Sequence, residues 1–196
     1  MPKKVNEREY RSMPLMTPDT EYIAEGYATT FNDPYLLFRD EDVEYFEEVA
    51  PGAIDENTDM SDVIFQYDHM GMVFARMSND TLSINADEYG LKVIADLSKT
   101  ADSRNMFENI TSGMVKDMSW AFTVDGQKYD REKHLRTITH IRKIYDVSAV
   151  SIPANPNTEI MAARSFIDGE IKKEIMEYEQ REAKKAKIRL LLELGK

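Results

Sequence analysis

Met118-Ser119-Trp120-Ala121-Phe122-Thr123-Val124 is the stretch on which the reading of this 196-residue chain turns. Bulky and small side chains alternate along it: Met118, Trp120, Phe122 and Val124 share one face, Ser119, Ala121 and Thr123 the other. A period of two is the signature of a strand whose apolar face packs into a core. The small face leaves room for a facing side chain and a substrate backbone. On this stretch alone, an ordinary solvent face or close sheet packing is the simpler explanation.

Strand-like runs continue on both sides. Residues 22–31 form a strand closed by the turn Asn32-Asp33-Pro34, and residues 43–49 another that ends at Ala50-Pro51-Gly52. Residues 61–68 alternate Val63, Phe65 and Tyr67 on one face, and His69 falls on that same face. Residues 82–97 read as a hairpin around Asp87-Glu88-Tyr89-Gly90, and residues 102–110 as a short helix stopped by Ser112-Gly113. Downstream, a polar loop over 125–133 leads to a long strand region over 135–152, which Pro153 and Pro156 end. From Ser165 the period becomes helical. Ser165 with Asp168 has the form of a capping box, and Ile167, Ile171, Ile175 and Tyr178 recur along one side. Residues 1–20 carry Pro2, Pro14 and Pro18 without apolar periodicity and read as a loose, flexible arm. The pattern thus predicts an α+β chain, a β-rich body with one or two helices and an amphipathic C-terminal helix.

Composition excludes several classes of function. Cysteine is absent, which removes disulfides, thiolate nucleophiles and cysteine-zinc sites together. Covalent catalysis is left to Ser, Thr, Lys or a carboxylate. A net charge of -11 opposes a groove for a phosphate backbone, so no nucleic-acid partner is expected. No apolar run approaches the roughly 20 residues of a membrane helix, and no signal-peptide core follows Met1. A cytoplasmic protein with no membrane partner is the expectation. At 42% hydrophobic and 10% aromatic, the chain has enough apolar matter for a real core.

Three histidines are available. His134 lies in the charged run Arg131-Glu132-Lys133-His134 and reads as a surface residue; His140 lies within a strand and reads as structural or surface. His69 differs, because it ends an apolar strand at the turn Met70-Gly71-Met72, where a rigid scaffold displays working side chains. Taken singly, it too reads as structural. Asp146 interrupts the otherwise apolar run Ile144-Tyr145-Asp146-Val147-Ser148-Ala149-Val150, and a buried carboxylate there needs a partner such as an imidazole N–H. Asp68 points to the other side of its strand and suits that task less well. A metal site at His69 with Asp62 or Asp68 lacks a second nearby histidine. The chain has no Gly-x-Ser-x-Gly elbow, no His-Glu-x-x-His and no phosphate-binding Gly-rich loop.

Longer segments narrow these alternatives. They are Glu47-Glu48-Val49-Ala50-Pro51-Gly52-Ala53-Ile54, Phe65-Gln66-Tyr67-Asp68-His69, and Tyr89-Gly90-Leu91-Lys92-Val93. Next come Ile110-Thr111-Ser112-Gly113 with Met118-Ser119-Trp120-Ala121-Phe122. The last is Tyr145-Asp146-Val147-Ser148-Ala149-Val150-Ser151-Ile152-Pro153-Ala154-Asn155-Pro156. Together, and in this order, they make residues 23–163 resemble the prohead (capsid maturation) protease family of tailed bacteriophages, similar in fold to the herpesvirus assembly proteases.

The resemblance implies a serine protease domain over residues 21–164 with a β-barrel-like, mostly antiparallel body, followed by the helical tail over 165–196. It makes Ser119 the nucleophile, His69 the general base and Asp146 the group that orients His69. Asp146 is one methylene shorter than the more usual Glu, and Ala121 stands where Gly is common. No cofactor or metal is implied. The implied partners are the scaffolding protein or the scaffold-like arm of the major capsid protein, with self-cleavage alongside and a homo-oligomer left open. The implied place of action is the immature capsid in the host cytoplasm. A catalytically inactive assembly factor that keeps the protease fold is the alternative.

Overall fold

A computed structural model of the chain describes residues 8–17, 22–151 and 161–194. In chain order the strands are β1 (Glu9–Met16), β2 (Ile23–Thr30), β3 (Tyr35–Asp40), β4 (Val43–Val49), β5 (Ile64–Tyr67), β6 (Val73–Arg76), β7 (Leu82–Ala86), β8 (Gly90–Asp96), β9 (Asp117–Asp130) and β10 (Leu135–Val150). The helices are α1 (Ala101–Thr111) and α2 (Met161–Leu194). The chain divides into two units, Met1–Ile160 and Met161–Lys196.

The strands form one ten-stranded sheet in the order β3-β4-β10-β9-β1-β2-β8-β7, with β5 paired to β10 and β6 to β5. The α+β class is as expected. Most pairings are antiparallel, but β10 runs parallel to both β4 and β5, so the sheet is mixed. Along the described pairings the sheet is open, its path ending at β3 and β7, where barrel-like closure was expected. Phe31, just past β2, donates its N–H to Tyr89 at 2.9 Å, and Asn32 donates to Val49 at 3.0 Å, which links the two arms of the sheet.

The β9–β10 hairpin is the spine. Its apolar face buries Met118, Trp120 and Phe122 completely, with the Trp120 and Phe122 rings stacked at 4.1 Å, and Val147, Phe65 and Leu91 join the same core. Burying an aromatic side chain of this size removes about 150–250 Å² of surface from water, which makes the pair a large term in stability. The loop expected over 125–133 is a strand as far as Asp130. Its polar side chains are satisfied by pairing, Gln127 Oε1 accepting from Arg136 Nε at 2.7 Å. The turn proper follows Asp130, whose Oδ1 accepts from the N–H groups of Glu132 and Lys133 at 3.0 and 3.2 Å. This Asx arrangement substitutes for ladder bonds.

Residues 9–16 are not part of a loose arm. They form β1, inside the sheet between β9 and β2. Their face toward the core carries charge, which is why no apolar period announces them. Glu9 and Arg11 meet Glu47 of β4 and Arg136 of β10, all nearly or wholly buried. Two acids and two bases balance, as buried ions must. Pro14 stands where β1 leaves β9 for β2, so its missing N–H breaks little of the ladder. Gly26 makes this crossover feasible, since a Cβ there would lie 3.0 Å from the Pro14 carbonyl oxygen.

α1 starts at Ala101, one residue before the expected helix over 102–110, behind a Thr100 cap. Thr100 Oγ1 accepts from the Ser103 N–H at 3.0 Å, and Gly113 at φ 74° follows the end of the helix. The Ser103 hydroxyl donates to the Phe74 carbonyl at 2.8 Å and ties α1 to β6. α2 begins at Met161, so Ser165 lies inside it and does not cap it. Ile175 and Tyr178, expected on its apolar side, are exposed, as is Met176. Pro153 and Pro156, expected to end the long strand region, lie outside the described residues.

Candidate active site

Register fixes which side chains share the face opposite the Trp120–Phe122 core. Ser119 on β9 lies across from Ser148 on β10 and from Ser12 on β1; Ala121 lies across from Asp146 and from Tyr10. Cross-strand partners project on the same side. Ser119, Ala121, Asp146 and Ser148 therefore form one patch, and all four are buried.

His69 reaches this patch through a break in the pleat. β5 pairs in parallel with β10, Asp146 opposite Ile64 and Ala149 opposite Tyr67. The chain stays attached for one more residue, the Asp68 N–H donating to the Ala149 carbonyl at 3.1 Å. Asp68 and His69 then adopt left-handed φ values of 47° and 57°, and the Met70 N–H closes the turn on the Tyr67 carbonyl at 3.1 Å. Strand alternation would have left the imidazole on the core face of Val63 and Phe65. The two left-handed residues carry it to the opposite face instead, which corrects the expectation of a shared face.

There the imidazole bridges two groups. Nδ1 lies 2.6 Å from Asp146 Oδ1 and Nε2 lies 2.7 Å from Ser119 Oγ. An ionised carboxylate only accepts hydrogen bonds, so the proton sits on Nδ1 and is donated to Asp146. Nε2 then carries the lone pair and accepts from the Ser119 hydroxyl. The three residues come from β9, β10 and the turn after β5. Asp146 reaches His69 despite its shorter side chain.

Two neighbours escaped the sequence reading. The Tyr10 ring meets the imidazole edge-on with centroids 4.5 Å apart. The Ser148 hydroxyl accepts from the His69 backbone N–H at 3.1 Å and donates to Asp146 Oδ1 at 2.8 Å. Neither has a local signal: Tyr10 sits in the segment read as an arm, and Ser148 acts through a main-chain group.

The other candidates lie elsewhere. Asp68 Oδ1 accepts from the Ser151 N–H at 3.4 Å and does not touch the imidazole's partners. Asp62 is paired with Arg76 at 2.5 Å. His134 is in the β9–β10 turn against Tyr45, and His140 pairs with Asp125 on the surface. Among the described residues no group of three or more His, Asp or Glu side chains is placed to hold a metal ion. Ala121 is fully buried beside Asp146 and lines no open channel.

A cleft of about 450 Å³ opens at the end of the same strands, lined by Tyr67, Met72, Phe74, Met106, Met114 and Val115. Met72 and Met114 are exposed in its lining.

Residues 8–173 match the family model described as caudovirus prohead serine protease. The chain belongs to that family. The match takes in β1, in line with its place inside the sheet. The prohead protease of Escherichia phage T5 is 25% identical over 104 residues, covering 53% of this chain and 46% of that protein. The chain thus spans about half the length of this curated relative. No solved structure gives a significant match. Among the described residues no helix is long and apolar enough to cross a membrane.

Proposed function

We propose that the chain is a serine endopeptidase of prohead maturation, acting inside the immature capsid in the host cytoplasm. Its substrates on this reading are the scaffolding protein or the scaffold-like arm of the major capsid protein, and itself. The observation that carries the reading is the His69 imidazole held between Ser119 and Asp146 at hydrogen-bonding distance from both, in a member of the prohead serine protease family.

The chemistry follows from that arrangement. Ser119 Oγ attacks the scissile carbonyl carbon while its proton passes to His69 Nε2. Asp146 faces the resulting imidazolium and stabilises it. Collapse breaks the C–N bond, Nε2 protonates the departing amine, and an acyl ester remains on Ser119. Water then attacks the ester with Nε2 as base, and the proton returns to Ser119 Oγ as the acid leaves. The Met-rich cleft takes an apolar substrate side chain, since thioethers adapt to varied shapes; Met114→Glu should then slow cleavage of the capsid substrate while the protein stays folded.

The test is co-expression with the cognate capsid protein, read by intact mass. Wild type should yield processed capsid protein and Ser119→Ala only the full-length form. Identical processing by both would remove Ser119 and the protease reading with it. The inactive assembly-factor alternative expects no processing by either, and a retired enzyme has no physical reason to keep all three groups aligned.

A further inference from the structure

The hydrogen bonds around His69 close on themselves. The backbone N–H of His69 donates to Ser148 Oγ at 3.1 Å, Ser148 donates to Asp146 Oδ1 at 2.8 Å, and Asp146 Oδ1 accepts the His69 Nδ1 proton at 2.6 Å. The ring therefore leaves His69 through its main chain and returns through its imidazole.

Each direction in it is forced. A backbone N–H can only donate, so Ser148 Oγ must accept from it. A carboxylate can only accept, so the single Ser148 proton must point at Asp146. Ser148 is fully buried, so no bulk water competes for that hydroxyl.

We infer that Ser148 is a positioning residue of the active site, a fourth member that acts through His69 and Asp146 without touching substrate. The inference rests on the serine protease reading. Ser148 does two things at once. It turns the Asp146 carboxylate so that Oδ1 faces Nδ1, and it holds His69 at φ 57°, a left-handed conformation that is unfavourable for a residue with a Cβ. Both settings aim Nε2 at Ser119. The strand spacing explains why one hydroxyl suffices: Asp146 and Ser148 are two residues apart on β10 and so share a face. Ser148 lies directly across the ladder from Ser119, which places the support beneath the base.

The experiment uses the full chain and needs no knowledge of the substrate. A fluorophosphonate probe labels an activated serine, so the saturating labelling rate and the probe's half-saturating concentration are measured for wild type, Ser119→Ala, Ser148→Ala, Ser148→Thr and Ser148→Val. Threonine and valine share a shape, and only threonine keeps the hydroxyl, so their ratio isolates the hydrogen bonds from packing. The His69 Nδ1 proton is followed in the same proteins by NMR as a low-field resonance. Loss of hydrogen bonds to a charged group should lower the saturating rate about ten- to hundred-fold in the alanine and valine variants. The half-saturating concentration should hold, the low-field resonance should weaken, and threonine should restore both. Wild-type labelling rates in Ser148→Val, or a threonine variant as slow as valine, would overturn the role of Ser148. Failure of the serine protease reading looks different: wild type itself would then label no faster than Ser119→Ala.

Discussion

Arg136 on β10 grips Glu9 on β1 through both carboxylate oxygens, Nη1 to Oε2 at 2.6 Å and Nη2 to Oε1 at 2.8 Å, across a separation of 127 residues. The same guanidinium also meets Glu47 of β4, which accepts from Arg11 Nε at 2.6 Å. Burial alone would raise the Glu9 carboxyl, but the hydrogen bond and charge of Arg136, aided by Arg11, outweigh it and hold the group below its ordinary 4.5. This paired network is what seats β1, and with it Tyr10, beside His69.

Removing Arg136 should therefore unfold more than it alters. Arg136→Met leaves buried carboxylates short of a partner and is expected to cost about 3–5 kcal/mol at neutral pH, read as a lower denaturation midpoint. The sign with pH follows from the lowered Glu9. Its contribution is complete above 4.5 and is lost as pH falls through the lower folded value, so the gap between wild type and Glu9→Gln should close on acidification. A gap that widens instead would contradict the assignment.

Tyr10 touches the imidazole by its ring, not its hydroxyl. An edge-on aromatic contact contributes about 0.5–1.5 kcal/mol, so Tyr10→Ala should slow turnover by up to about ten-fold. Tyr10→Phe should stay near wild type. Steady-state cleavage of the capsid substrate decides, and equal loss in both variants would point to the hydroxyl.

His140 offers a pH prediction away from the site. The hydrogen bond to Asp125 raises its pKa above 6.5; burial opposes the rise, and the charges of Asp125 and Asp55 add to it. A raised histidine contributes stability that is whole below 6.5 and fades as pH climbs through the folded value. An NMR titration should place its midpoint above 6.5, and the melting difference between wild type and His140→Gln should shrink from pH 6 to pH 9. A midpoint below 6.5 would contradict the pairing.

Much of the site could be read from residue order, and much of its frame could not. Ser119 and His69 read as structural when taken singly, Asp146 stands out as a charge in an apolar strand, and the family resemblance is what joins the three. The turn that delivers His69 could not be read, since it depends on left-handed backbone at Asp68 and His69 and not on side-chain type. β1 was hidden for another reason: its inward residues are charged, and their partners Glu47 and Arg136 lie far along the chain. β3 and β6, short strands of 6 and 4 residues, fell below any periodic signal. The outer half of β9 looked like a loop because polar side chains satisfied by cross-strand pairing resemble polar side chains satisfied by water.

In the proposed mechanism Asp146 orients the base and breaks no bond. Asp146→Asn should fold like wild type, cut more slowly, and remain faster than Ser119→Ala or His69→Ala. Single-turnover cleavage of the capsid substrate ranks the three. Near-wild-type cleavage by the asparagine variant would make Asp146 a structural residue only.

The most direct measurement is peptide mapping of the full-length protein after exposure to a fluorophosphonate. One adduct is expected, on Ser119 in wild type, and its formation should fall by several orders of magnitude in His69→Ala. An adduct on a different residue, or undiminished labelling of Ser119 without the imidazole, would contradict the account.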